Sequence, residues 1–270
     1  MKMPSLLTNN RRTSTGFTLI EMLVVITIIG ILAGLITAAA IRARIYAKNA
    51  AITIDIKELG MACQAYKQKF GEYPPDGLDS NAFARHLRKA FPRYTGDGSG
   101  LPVTLTPQTA LAFWLGGVQD ANGKPTGFAA DPTNPFLPAT ACPSRIGPFF
   151  EFDRNRLDGY RYWPQGVLSD QPGSGTTGAI TYFRADNGLY DGKYQDDSSG
   201  RVYPAQDRRV NGYPWINPKS FQIFSAGLDM QYGTADPNGT LQFPTGGNYT
   251  EEVFDNITNF SGGTLEDAMP

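Results

Sequence analysis

Residues 16–41 read GFTLIEMLVVITIIGILAGLITAAAI, and this run constrains the chain more than any other. From Phe17 to Ile41 it holds 25 residues and one charge, Glu21. At about 1.5 Å rise per residue, a helix of that length crosses a hydrocarbon layer of roughly 30 Å. A lone carboxylate in such a setting costs roughly 3 kcal/mol or more, and pairing recovers much of that cost. Glu21 therefore requires a partner.

Residues 1–15 are polar and carry Lys2, Arg11 and Arg12 with no acid. A basic stretch before an apolar run is a targeting signature. Secretory signals place a small-residue cut site after the run, whereas Gly16 lies before it. That order removes the leader and keeps the helix in the mature protein. A twin-arginine signal at Arg11-Arg12 fits poorly, because the apolar run is too long and the cut site misplaced. A plain signal anchor is the other alternative. Arg42, Arg44 and Lys48 beyond the run balance the three leader cations, so basic-residue asymmetry does not set the orientation.

The segment Gly16-Phe17-Thr18-Leu19-Ile20-Glu21 resembles the processing motif of type IV pilins and of type II secretion pseudopilins. The resemblance implies cleavage after Gly16 by a prepilin peptidase and methylation of the new amino terminus at Phe17. It implies an assembly role for Glu21, which would meet the terminal amine of a neighbouring subunit. Pairing with the amine of its own chain, or a headgroup-level position, is the alternative. The family pattern places the leader in the cytoplasm and the C-terminal part outside.

Past Ile41 the pattern remains helical. Ile45, Ile52, Ile56, Leu59, Cys63, Tyr66 and Phe70 form one apolar stripe on a 3.6-residue period, with Asp55 and most other charges off it. Gly71 and Pro74-Pro75 stop the helix. A helix from Phe17 to Phe70 would be about 80 Å long. Gly30 and Gly34 have the spacing that permits close helix contact, or are simply tolerated in a membrane segment.

The remaining residues favour short elements and many turns, since most of the 30 Gly and 20 Pro follow residue 71. Helices are expected at 81–91, with Asp79 or Ser80 as cap, and at 108–115, with Thr106 as cap. Short strands are expected at 149–152, 160–163, 179–184 and 220–225, with turns at Asp158-Gly159 and Asn187-Gly188. We read them as an antiparallel sheet covering the stripe.

The stretch 224–233 and the later stretch 255–260 resemble the end of the major pseudopilin. There a loop binds calcium, and oxygen ligands on a flexible loop suit that ion. The resemblance implies Asp229 and Asp255 as ligands, although about 20 residues separate the two stretches. Alternatively Asp229 caps a turn and Asp255 starts a short helix. The run 153–159 departs from an EF-hand loop by a displaced acid.

Little in the sequence points to catalysis. The single histidine, His86, stands among Arg85, Arg88 and Lys89 and reads as solvated. Cys63 and Cys142 can form one disulfide outside the cytoplasm, or Cys63 is a buried free thiol. Net charge is −1, so there is no broad basic face and no nucleic acid is expected.

The expectation is an α+β, pilin-like fold: a long N-terminal helix on a C-terminal antiparallel β-sheet domain. Its parts are a leader (1–16), a transmembrane or filament-core helix (17–41), an amphipathic continuation (42–73) and a globular periplasmic or extracellular domain (74–270). The expected function is structural, not enzymatic: a type II secretion pseudopilin that polymerises to drive protein secretion. The alternative is a minor type IV pilin for adhesion or DNA uptake. Expected partners are the prepilin peptidase, other pilin-like subunits and an inner-membrane assembly platform. The expected location is the inner membrane, single-pass, then a filament. No cofactor is required, with calcium the one candidate.

Overall fold

A computed structural model describes residues 16–165, 178–190, 192, 194–196, 200–233, 240–244 and 249–269. Residues 1–15, most of the expected leader, lie outside the described residues. The chain divides into two compact units, residues 1–46 and 47–270.

Helix α1 spans Leu19–Phe70. It contains no proline, and its apolar run of Leu, Ile, Val and Ala needs no partner to satisfy the backbone. In the first unit every described side chain from 16 to 46 is exposed, including Leu19, Ile26, Leu35 and Ile36. Gly30 and Gly34 are both helical, and a Cβ at either would meet nothing within 4 Å.

The second unit begins at Ala47. The helical stripe is buried from Ile52 to Phe70 through Ile56, Leu59, Cys63 and Tyr66. Ile45, the first position of the expected stripe, is instead exposed and belongs to the first unit. Helix α2 is Ser80–Ala90, capped by Asp79, whose carboxylate accepts from the amides of Asn81 and Ala82. Helix α3 is Ala110–Gly116, starting two residues later than expected. Thr106 spends its hydroxyl and carbonyl on the amides of Thr109 and Ala110, so residues 106–109 form a turn ahead of the helix.

The strands are short: β1 (Phe128–Ala129), β2 (Arg145–Ile146), β3 (Leu157–Asp158), β4 (Arg161–Tyr162), β5 (Thr181–Arg184), β6 (Tyr194–Asp196), β7 (Gly200–Val202), β8 (Ala205–Asp207), β9 (Phe221–Ser225), β10 (Leu241–Phe243) and, after helix α4 (Glu251–Phe254), β11 (Ile257–Thr258). The antiparallel sheet β11-β9-β5 is central, with Tyr182 opposite Ile223 and Ile257 opposite Ser225. Among the described residues there are also four two-stranded sheets, one of which, β10 with β8, is parallel. Residues 149–152 form no strand. The Phe149 amide donates to Leu115 O, which ties the segment to the end of α3.

The central sheet has a core on each face. Ile180, Tyr182, Phe221, Ile223 and Ile257 join the stripe of α1 and the whole apolar side of α3. Phe183 and Phe224 point the other way, into a second cluster with Tyr203, Leu241, Phe243 and Val253. The alternation of period two thus sends both sides inward, and all five residues of β9, the polar Gln222 and Ser225 included, are buried. A long apolar helix followed by small sheets is an α+β, pilin-like arrangement.

Candidate functional site

Thr18 and Glu21 close the start of α1. The Glu21 carboxylate Oε2 accepts from the Thr18 amide at 2.8 Å and from its hydroxyl at 2.7 Å. In return the Glu21 amide donates to Thr18 Oγ1 at 3.3 Å, and Thr18 O takes the first helical bond from Met22. This is a capping box, in which residues three apart satisfy each other's free amides. The pattern Thr-x-x-Glu before an apolar run was the signal for it. Both bonds use Oε2, so Oε1 is left for another donor. Phe17 and Gly16 lie exposed just ahead, and nothing lies within 4 Å of where a Cβ on Gly16 would sit. The fold does not require glycine there. The helix that follows is long and apolar enough to cross a membrane, with none of its apolar window buried.

Residues 11–37 match the family model described as the prokaryotic N-terminal methylation motif. The chain carries the pilin and pseudopilin signature. The match contains Gly16, Phe17 and Glu21, and supports a type IV pilin-like subunit. It implies processing by prepilin peptidase and assembly with other pilin-like subunits. The helix fits the single-pass membrane anchor of pilins. Pilin-like proteins are a structural family, generally without enzymatic activity. Neither the curated proteins nor the solved structures contain a significant match to the chain.

Asp229 and Asp255 come together despite their separation in sequence. Asp255 Oδ2 accepts from the amides of Leu228 (2.8 Å) and Asp229 (3.2 Å), and Asp229 Oδ1 accepts from Gln231 (2.7 Å). Asp229 therefore caps a turn, and Asp255 ends α4 rather than starting a helix. Gly227 permits the approach: its φ is +64°, and a Cβ there would lie 2.4 Å from the Asp255 carboxylate. Burial, then the neighbouring Asp229, pushes the Asp255 carboxyl up to about 6. Burial also raises Asp229. Asp255 Oδ1 is buried with no hydrogen-bond partner, and so are Asn256 Oδ1 and Ser225 Oγ. The unsatisfied Asp255 oxygen beside a second acid fits a hard cation, which would supply the missing partner. Among the described residues no three acids, histidines or cysteines converge, so much of such a shell would be backbone oxygen and water.

Of the two alternatives for the cysteines, the structure has the free thiols: Cys63 is buried and Cys142 half-exposed, with no bridge between them. Cys63 sits inside the α1 stripe, where burial pushes its thiol well up. His86 is not solvated but fully buried. Its Nε2 lies 2.7 Å from the Tyr66 hydroxyl and its Nδ1 lies 2.6 Å from Glu72 Oε1. A carboxylate can only accept, so Nδ1 carries the hydrogen and Nε2 accepts from Tyr66. Lys89 and Arg184 complete the charge around Glu72.

Asp55, read as an off-stripe charge, is also buried. It pairs with Arg156 and accepts from the Gln165 amide at 3.0 Å. Arg156 donates to Trp163 O and stacks over Tyr162. Both networks join α1 to distant segments of the second unit.

Proposed function

We propose that this chain is a pseudopilin of a type II secretion apparatus, held in the inner membrane by α1 with residues 47–270 outside. It is released from its leader after Gly16, methylated at Phe17, and polymerised with like subunits to push secreted proteins outward. The observation that carries the reading is the methylation motif set directly on an exposed apolar helix. Glu21 adds to it. With Oε2 held by Thr18, Oε1 is free to take the cationic amine of a neighbouring Phe17 and recover the cost of a carboxylate in an apolar bundle.

The secretion assignment draws on the C-terminal stretches resembling the major pseudopilin. β11 pairs with β9, and Asp255 holds the amides of Leu228 and Asp229, so the intervening residues do not keep those stretches apart. Asp229 and Asp255 would hold a calcium ion there. The assembly platform is the expected membrane partner.

The experiment compares Glu21→Ala with Thr18→Val in cells that assemble the filament. Both remove the capping box, but only Glu21→Ala removes the charge. Both should be processed, Thr18→Val should assemble, and Glu21→Ala should fail to. Normal incorporation of Glu21→Ala, or equal failure of the two, would contradict the pairing. Deletion of the gene should leave secreted proteins trapped in the periplasm. Loss of adhesion or DNA uptake with secretion intact would assign the chain to the minor type IV pilins instead.

A further inference from the structure

A pocket of about 300 Å³ opens in the second unit where α1 and α2 both end. Its floor is apolar: Phe70, Phe91, Ala129 and Ile146. The Phe70 and Phe91 rings lie 5.2 Å apart, and Phe128 backs both, at 6.3 and 5.6 Å. The wall is fixed as well. Arg145 donates to the carbonyls of Gly127 (2.5 Å), Leu137 (2.7 Å) and Cys142 (3.4 Å), which pins the loop between β1 and β2. A preformed floor and wall of this size match the small end of ligand pockets, roughly 300–1,000 Å³.

The rim supplies the chemistry. Lys69 and Arg93 line the opening, both are exposed, and no hydrogen bond or ion pair engages either among the described residues. Two other cations of α2 are committed, Lys89 to Glu72 and Gly71 O and Arg85 to Asp186, while the exposed Arg88 does not line the pocket. The single acid at the rim, Asp131, has one oxygen taken by Thr133. The opening therefore carries a net positive charge above an apolar floor.

We propose that this pocket binds a small apolar carboxylate, a single ring or short aliphatic chain whose acid group faces Lys69 and Arg93. The volume limits the apolar part to about one ring, and the charge balance selects the anion. The proposal does not depend on the filament reading.

The test uses the full chain in nanodiscs and follows the fluorine signal of 4-fluorophenylpropionate, with the neutral 4-fluorophenylpropionamide as control. The carboxylate should bind saturably with a Kd at or below about 1 mM, and the amide about tenfold more weakly. Lys69→Gln with Arg93→Gln, both surface changes, should remove that preference while leaving the melting temperature unchanged. Ala90 also lines the pocket, and Ala90→Leu, which takes up part of its volume, should weaken both probes. Equal binding of the two probes to the native chain, no saturable binding, or a preference that survives the double substitution would overturn the proposal.

Discussion

The Tyr66 hydroxyl and the His86 imidazole meet at 2.7 Å, fully buried between α1 and α2. Burial first of all lowers the histidine below its ordinary 6.5, so the ring is neutral and accepts from tyrosine. Burial favours a neutral Glu72, but hydrogen bonds from His86 and Lys89 and the charge of Arg184 outweigh it and hold the carboxyl at about 2. Both groups bind fewer protons folded than unfolded. Their contribution is complete above about pH 6.5, declines first through His86 as pH falls, and declines further through Glu72 between 4.5 and about 2. Asp255 has the opposite sign, because its raised carboxyl binds a proton earlier in the fold.

For Tyr66→Phe, the buried Nε2 loses its donor. A cost of about 1–3 kcal/mol is expected, read by chemical denaturation of the full chain in detergent. His86→Gln should remove the part of the acid-side decline that begins below pH 6.5 in the native chain. The stability difference between the native chain and His86→Gln isolates the imidazole from Asp255, and a difference that does not fall as pH drops below 6.5 would contradict a buried neutral imidazole.

Asp55 and Arg156 make the other buried pair. Asp55→Ala leaves a guanidinium uncompensated and should cost about 3–5 kcal/mol. The double variant Asp55→Ala with Arg156→Met should recover part of that loss. Additive losses in the double-mutant cycle would mean that the two side chains are not coupled.

The thiols should behave differently. Iodoacetamide should modify Cys142 in the native chain and Cys63 only after denaturation, counted by mass. Absence of labelling before reduction, with two labels after it, would show a bridge.

Calcium is tested at Asp255. Calcium chloride should raise the melting temperature of the native chain by a saturable increment that Asp255→Asn abolishes. Without the ion, Asp255→Asn should be neutral or slightly stabilising near pH 7, since it relieves the repulsion from Asp229. A calcium shift equal in the native chain and the variant would place the ion elsewhere.

The legible parts of the fold were those written locally. The stripe from Ile52 to Phe70, the Asp79 cap and the Asn187-Gly188 turn each depend on residues a few positions apart. The illegible parts depend on distant partners. Asp55 is buried because of Arg156, 101 residues away. His86 looked solvated among cations, yet α2 turns it toward Tyr66 and Trp114. Residues 149–152 have strand composition but bond to the end of α3. At the N-terminal site Gly16, Phe17 and Glu21 were readable as a motif, whereas the reciprocal bonding of Thr18 with Glu21 was present in the pattern and overlooked.

The central claim concerns what happens at Gly16, and intact mass spectrometry of the protein from cells with active prepilin peptidase tests it most directly. The account predicts a chain beginning at Phe17 with one added methyl group on its amine. A chain that keeps residues 1–16, or one cut C-terminal to the apolar helix, would contradict it.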